Sequence, residues 1–293
     1  MQREPAGVVA AGRSLFSYAG ILLLALRSRG AAWRALLLVR RRPGALLVSG
    51  LLGVAVYAFA SLEAISLVGV SIPNLLLTTT PLLTLVIGVL WFGKRGNRFA
   101  TAGTIVATVG AALYVAVSFS ASADLLGIQG AVGVGLALVA ALSMAVYGQH
   151  YARISQGHDP TDLLPGIFGF GTVLLLILLG ATGQLAELVH VDAVTWLLLL
   201  LLGVGIYVPV YVLQHKLIHA RGAVYTATVS LAVPFVVRAL EVCFLGGVWP
   251  SLPETGAMIL CIAGVALVLR HPLGDRRSAL SATAADGALG VDR

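Results

Sequence analysis

The sequence predicts an all-α polytopic membrane protein with about nine transmembrane helices. Composition is the first indication, since 59% of the 293 residues are hydrophobic and only 11% are charged. The second is the pattern, in which apolar stretches of about 20 residues, long enough for a helix to cross a bilayer, alternate with short polar connections. The stretches are continuously apolar, and only helices or closed barrels satisfy the backbone in lipid, so we expect helices.

The predicted spans follow one another closely along the chain. We place them at about 8–26, 44–64, 69–92, 99–119, 126–149, 163–183, 193–214, 222–245 and 255–270. The remaining residues, 271–293, are rich in Ala, Gly, Ser and Asp. They carry too little apolar surface to fold and predict a disordered cytoplasmic tail.

The positive charges gather in alternate connections. Lys and Arg occupy residues 27–42, 94–98, 153, 216–221 and 270–277, whereas the connections near 65–68, 120–125, 184–192 and 246–254 contain none. Because Lys and Arg near span ends are retained in the cytoplasm, the pattern places the N-terminus outside and the C-terminus inside. The net charge of +7 is thus divided among small loops, which argues against a nucleic-acid partner. Arg exceeds Lys by 17 to 2, which suggests a GC-rich bacterial genome and hence the inner membrane of a bacterium.

The two halves of the sequence share a pattern of proline and glycine residues. Pro81 is followed twelve residues later by Gly93, and Pro234 twelve residues later by Gly246. In each half we expect a proline-bent helix and then a helix that packs through small residues. These small residues are Gly103 and Gly110 in the first half, and Gly256 and Gly264 in the second. The first motif leads toward a basic loop and the second toward an acidic one, so the sequence predicts inverted repeats at 1–119 and 126–270, an arrangement that secondary transporters use.

Three stretches of the chain resemble the EamA-like family of the drug/metabolite transporter superfamily. They are LLLTTTPLLTLVIGVLWFGKRGNRFATAGTIVATVGAALYV, GAVGVGLALVAALSMAVYGQHYARIS and VSLAVPFVVRALEVCFLGGVWPSLPETGAMILCIAGVALVL. The resemblance implies two inverted five-helix repeats, a central cavity that opens alternately to each side, and transport of small metabolites, often outward. The segment AAGRSLFSYAGILLLAL resembles the family's second helix. We therefore expect that the family's first helix is lacking, either natively or because Met1 is an internal start. A homodimer that completes the bundle is a further possibility.

Polar side chains inside the spans are costly in lipid and are the best pointers to a site. In the eighth span they share one helical face, formed by Thr226, Ser230, Pro234, Arg238 and Glu241. We expect Arg238 to hold a substrate carboxylate and Glu241 to bind a proton or other coupling ion. The alternative is a structural pair in which the two charges neutralise each other.

Further polar residues lie on four other spans and can converge only on a shared interior. The predicted substrate contacts among them are Tyr57, Asn74, Thr78, Tyr147, His150, Tyr207 and Tyr211. Ordinary interhelical hydrogen bonding is the alternative for each one taken singly. We expect Arg13 to snorkel to the outer headgroups, and His215 and His219 to lie solvated in a cytoplasmic loop.

These residues predict a secondary transporter of a small metabolite. Members of the family that the chain resembles are often exporters. The sequence has no P-loop, zinc-protease helix or nucleophile elbow, so we expect neither an enzyme nor a cofactor. A non-transporting remnant or membrane interaction protein is the alternative, and a membrane-embedded enzyme is a weaker one. The expected partners are the lipid bilayer, a small-molecule substrate and protons as the coupling ion.

Overall fold

Helices make up the whole regular structure of the protein in the part of the chain that its computed structural model describes. That part comprises residues 6–28, 30–93, 97–118, 127–244 and 249–270. Within it, side chains are not described at residues 6, 71, 118, 187, 189, 190, 237, 238 and 241. The predicted all-α class is confirmed over these ranges. The predicted tail and the connection at 120–125 lie outside the described residues.

The helices follow one another in two series. Residues 6–118 form α1 (Ala6–Arg27), α2 (Ala31–Arg41), α3 (Pro43–Gly50), α4 (Tyr57–Val68), α5 (Ser71–Leu77), α6 (Thr80–Leu90) and α7 (Arg98–Ser118). Residues 128–270 form α8 (Ile128–Ile154), α9 (Pro160–Ala181), α10 (Ala193–Leu200), α11 (Val208–Arg221), α12 (Ala223–Ser230), α13 (Val233–Phe244) and α14 (Leu252–Arg270). Eight helical segments of the described chain are long and apolar enough to cross a membrane, and Ala223–Val236 is a shorter apolar helix. The polytopic class is therefore confirmed.

Two of the predicted spans are interrupted near their prolines. α5 and α6 are separated by a turn at residues 78–79, shortly before Pro81, and α12 and α13 by a turn at 231–232, shortly before Pro234. Proline has no N–H and its ring crowds the preceding turn, so the helix loses a hydrogen bond at this point and bends. Both spans are thus interrupted where the sequence predicts bends, and the bends themselves stay predictions.

Two other spans contain a π-helical segment that the sequence did not predict. The first π segment, Leu51–Val56, joins α3 to α4, and the second π segment, Leu201–Tyr207, joins α10 to α11. A π-helix bonds each N–H to the carbonyl five residues back, which widens the helix locally. The helix that contains the second segment runs continuously over Ala193–Arg221, well past the end that we predicted at 214.

The first basic connection is a short helix rather than a loop. One face of α2 is buried and consists of Ala31, Ala35 and Leu38. On another face the Arg34 guanidinium forms an ion pair with the carboxylate of Asp162 on α9, with 2.6 Å between Nε and Oδ2. The pair attaches α2 to the bundle.

Close packing of α7 on α14 depends on glycine. A Cβ added at Gly110 would lie 2.4 Å from the Cys261 nitrogen, and one added at Gly264 would lie 2.3 Å from the Ala107 nitrogen. The predicted packing through Gly103, Gly110 and Gly264 is confirmed. Gly256 has open space beside it and takes no part.

Candidate functional site

A cavity of about 780 Å³ lies between the two series of helices. Its wall includes both interrupted helices and parts of α4, α7, α8, α11 and α14. The polar residues of the wall are Tyr57, Asn74, Thr78, Thr80, Thr84, Tyr114, Tyr147, Gln214, Thr226, Ser230 and Glu254. Its apolar residues include Leu77, Pro81, Val115, Met144, Ile218, Ala227, Leu231, Pro234 and Phe235. The volume is in the range of small-molecule sites.

Four of the predicted substrate contacts lie on this wall. Tyr57, Asn74, Thr78 and Tyr147 all line the cavity, although they come from three different parts of the chain, namely α4, α5 with the turn that follows it, and α8. The fold thus brings these residues together, as expected for a shared polar interior. Their role as substrate contacts remains a prediction.

Most hydroxyl groups of the interrupted helices donate to their own helix. On α5 and α6 the donors are Thr78 to Leu75 O (2.6 Å), Thr80 to Leu77 O (2.7 Å) and Thr84 to Thr80 O (2.7 Å). On α12 they are Thr226 to Gly222 O (3.0 Å) and Ser230 to Thr226 O (2.9 Å). Such bonds satisfy the hydroxyl proton and are associated with bent helices.

Behind Tyr147 lies His215, which we had placed in a solvated loop. That expectation is wrong, because His215 is on α11 with only 1% of its surface exposed. Its Nε2 is hydrogen-bonded to the Tyr147 hydroxyl, and its Nδ1 lies 2.6 Å from the Tyr211 carbonyl oxygen. The ring of Tyr151 packs edge-on against it at 4.6 Å. The polar run Gln214-His215-Lys216 resembles a loop in the sequence, but the spacing of four from Tyr211 to His215 was a usable helical signal.

Arg13 is also placed differently from our expectation. Its guanidinium lies 4.8 Å from the centre of the Tyr207 ring, and Nη1 donates a hydrogen bond to the Tyr207 hydroxyl at 3.2 Å. Tyr207 in turn stacks beside Tyr211, with 5.5 Å between ring centroids. Arg13 is therefore held by the bundle through a cation–π contact rather than extended to the headgroups.

The remaining predicted residues divide into two groups. His150 is half-buried on α8, and its Nε2 lies 3.2 Å from the Ala45 carbonyl oxygen, which is a helix–helix contact. Tyr207, Tyr211 and His150 are not on the cavity wall defined above. Arg238 and Glu241 lie on α13, but their side chains are outside the described part of the structure. The roles proposed for them stay predictions.

Several residues of the site were not predicted. Tyr114 on α7 and Phe235 on α13 line the cavity together and form an edge-to-face pair with 4.9 Å between centroids. Gln149 is buried on α8, where its amide donates to the Thr84 carbonyl at 2.8 Å. Among the described residues no group of three or more His, Cys, Asp or Glu could hold a metal ion.

Comparison with known proteins decides the family. The sequence profile of the EamA-like transporter family matches residues 1–116 and 131–270. The chain belongs to the EamA-like transporter family. It is thus a membrane protein of the drug/metabolite transporter type, as the resemblance of the three stretches implied.

One solved structure supports the fold independently. The crystal structure of another protein superposes with a TM-score of 0.69 over 91% of this chain and 88% of its own, at 20% sequence identity. Likeness at this identity shows a shared fold and no more. No curated protein matches the sequence.

Proposed function

We propose that the protein is a secondary transporter that exports a small metabolite by alternating access through the cavity. The observation that carries the proposal is the cavity wall, where the two proline-interrupted helices meet. Pro81 follows one turn and Pro234 the other, and both residues line the cavity. A helix that has already lost hydrogen bonds at a proline can bend there at low cost. Movement at these points would open the cavity to one side and close it to the other.

Substrate contacts in this proposal come from both halves of the chain. Tyr57, Asn74, Thr78 and Tyr147 touch the substrate directly, and Tyr207, Tyr211 and His150 support the helices around it. On α13, Arg238 holds an anionic group of the substrate and Glu241 carries the coupling proton. Charged residues within a membrane protein are costly unless they serve such a role. The inverted-repeat division at 1–119 and 126–270, an N-terminus outside and a location in the bacterial inner membrane belong to the same proposal.

Blocking the cavity tests the proposal directly. Ala227 lies on the cavity wall, so Ala227→Trp should fill the space and reduce transport to background. The matched control is Ile177→Trp on α9, where 61% of the isoleucine is exposed on the outside of the bundle. We expect transport by this control to equal that of the unmodified protein.

The measurement is flux into proteoliposomes of labelled amino acids, nucleosides and drugs, with thermal unfolding in detergent to show that both variants fold. If Ala227→Trp folds and still transports, the cavity is not the pathway. If the unmodified protein is correctly inserted and moves none of the panel, the alternative of a non-transporting interaction protein is favoured.

A further inference from the structure

We infer that the cavity wall at Tyr147 recognises a hydrogen-bond donor, and that the ligand presents there a primary ammonium group on an apolar body. The inference rests on the proposed function, because it names the substrate class of the same cavity. The deciding feature is which group accepts the proton of the Tyr147 hydroxyl.

Tyr147 is fixed in position on two sides. Its ring lies against Gly53 so closely that a Cβ added to this glycine would be 2.6 Å from Tyr147 Cε2. Its hydroxyl is hydrogen-bonded to His215 Nε2. The side chain is 3% exposed, and it nevertheless forms part of the cavity wall. Tyr147 therefore presents only a small part of its side chain to the cavity.

The surroundings of His215 determine its tautomer. Its Nδ1 faces the Tyr211 carbonyl oxygen at 2.6 Å, and a carbonyl can only accept, so Nδ1 carries a proton. The ring is enclosed by Tyr147, Tyr151, Phe168 and Tyr211. No acidic side chain is hydrogen-bonded to it in the described structure, and an unpaired buried charge is costly, so the imidazole is neutral. Nε2 is then an acceptor.

It follows that Tyr147 donates its proton to His215. A hydroxyl has one proton and two lone pairs, so any contact that the Tyr147 oxygen makes with a ligand in the cavity can only be as an acceptor. Turning the proton toward the cavity would leave the buried Nε2 without a donor, which is unfavourable. His215 is thus a positioning residue that fixes Tyr147 as an acceptor.

Five hydroxyl groups elsewhere on the wall also donate their protons within the protein. Those of Thr78, Thr80, Thr84, Thr226 and Ser230 donate to their own helices, so they can offer a ligand only lone pairs. A ligand carboxylate placed against these oxygens would bring two acceptors together. A primary ammonium has three donors and no acceptor, which suits these oxygens, and the amides of Asn74 and Gln214 on the same wall each offer an acceptor oxygen as well as donors.

The rest of the cavity suits the other parts of such a ligand. Tyr57, Tyr114 and Phe235 provide aromatic rings, which attract a cation at their faces. Leu77 and Met144 provide apolar surface for a hydrocarbon or aromatic body. The wall at Tyr147 therefore fits the ammonium group of an amphipathic amine, and the anionic group that the proposed function assigns to Arg238 would be a separate group of the same substrate.

Three matched probes separate hydrogen-bond donation from charge. They are 2-phenylethylammonium, its N,N,N-trimethyl derivative, which keeps the charge but has no N–H, and 3-phenylpropionate, which is anionic. Dissociation constants are measured from ligand-dependent shifts in the unfolding temperature of the full-length protein in detergent. We expect the primary ammonium to bind about tenfold or more tightly than the trimethyl derivative, since charge-assisted hydrogen bonds are lost.

Two variants test whether the preference for a primary ammonium depends on the Tyr147–His215 pair. Tyr147→Phe should weaken the primary ammonium about tenfold and leave the trimethyl derivative unchanged. His215→Phe should free the Tyr147 proton and narrow the preference for ammonium over carboxylate, whereas a merely structural role would weaken all probes alike. Tyr18→Phe, which removes a hydroxyl away from the cavity wall, is the matched control. Should His215→Phe fail to fold, Tyr147→Phe still decides the matter.

Other outcomes overturn the inference and leave the proposed function distinguishable from it. Equal binding of the primary and trimethyl cations would show that the cavity wall does not recognise the N–H donors of the ligand. Binding of 3-phenylpropionate alone, lost in Arg238→Ala, would also overturn it and would support the anion role proposed for Arg238. Flux of panel compounds with no binding of any probe rejects the ammonium class but keeps the transporter. The absence of both flux and probe binding would reject the proposed function itself.

Discussion

The two π segments are alike in sequence and unlike in surroundings. Both begin with Leu-Leu-Gly, and a tyrosine, Tyr57 or Tyr207, comes six residues after the first leucine of each. In both, a serine of a neighbouring helix donates to a carbonyl of the segment: Ser143 to Leu52 O at 2.8 Å and Ser17 to Gly203 O at 3.3 Å. A widened turn offers carbonyls to such donors.

Their neighbours make the difference. The first π segment packs against both α8 and α9, and the second packs chiefly against α1. Accordingly Val54 is 7% exposed and Ala55 fully buried, whereas Leu201 and Ile206 are 56% and 57% exposed. The comparison teaches that the same local sequence can be enclosed between two helices in one half and largely exposed on the outside of the bundle in the other.

The largest difference in stability between the two segments should come from adding one methyl group at a glycine of each region. A Cβ at Gly50 would lie 2.6 Å from both the Gly171 nitrogen and the Ile167 oxygen. Because backbone cannot move aside cheaply, Gly50→Ala should destabilise the protein by about 3 kcal/mol. Gly205, within the second segment, has nothing within 4 Å, and Gly205→Ala should be neutral or slightly stabilising. Thermal unfolding in detergent measures both, and equal losses would refute the contrast.

Removing the serine hydroxyls should have a smaller effect. Ser143→Ala leaves the Leu52 carbonyl without its donor in the enclosed segment and should cost about 1–2 kcal/mol. Ser17→Ala removes a longer hydrogen bond and should cost less. A Ser17→Ala variant that unfolds at a lower temperature than Ser143→Ala would show that the distances do not rank the two contacts.

The smallest effect concerns how the two spans begin. The span of the second segment starts at Asp192, whose side chain accepts from the Thr195 N–H at 2.9 Å, whereas that of the first starts with Pro43 and no side-chain cap. Hydrogen bonds from the Thr195 side chain and amide hold the pKa of Asp192 below its ordinary value of 3.8. A lowered pKa means that the folded state favours the carboxylate, so this stabilisation is present above about pH 4 and is lost as pH falls through the folded pKa.

The stability difference between the unmodified protein and Asp192→Ala should therefore be constant near neutrality and shrink in acid. Unfolding temperatures recorded from pH 7 to pH 3 measure it. A difference that grows in acid would have the wrong sign for a depressed pKa.

The sequence predicted most of the spans and the places where two of them are interrupted, because hydropathy and proline act locally. It missed the π segments, since Leu, Val, Ala and Gly give no polar signal of an extra residue in a turn. α2 was assigned to a loop because its arginines dominated, although Ala31, Ala35 and Leu38 have helical spacing.

The candidate site was predictable only in part. Polar side chains such as Tyr57 and Tyr147 are conspicuous in apolar spans, and the fold does bring them to one cavity. The partnership of Tyr147 with His215, 68 residues away, depends on how α8 packs beside α11. Sequence spacing carries no information about such a pair.

The π segments also bear on how the chain tolerates insertion and deletion. A π turn holds one residue more than an α turn, so deleting one residue within Leu51–Val56 would restore an uninterrupted α-helix. Because the π turn takes up the extra residue, the following part of the span would keep its present direction after this deletion, and Tyr57 would stay at the cavity. A deletion in a regular helix such as α7 has no such turn to take it up, and it would rotate the part that follows by about 100°. In terms of sequence alignment, the length of each segment is therefore as informative as the identity of its residues, and a single gap placed there would join chains whose cavities face the same way.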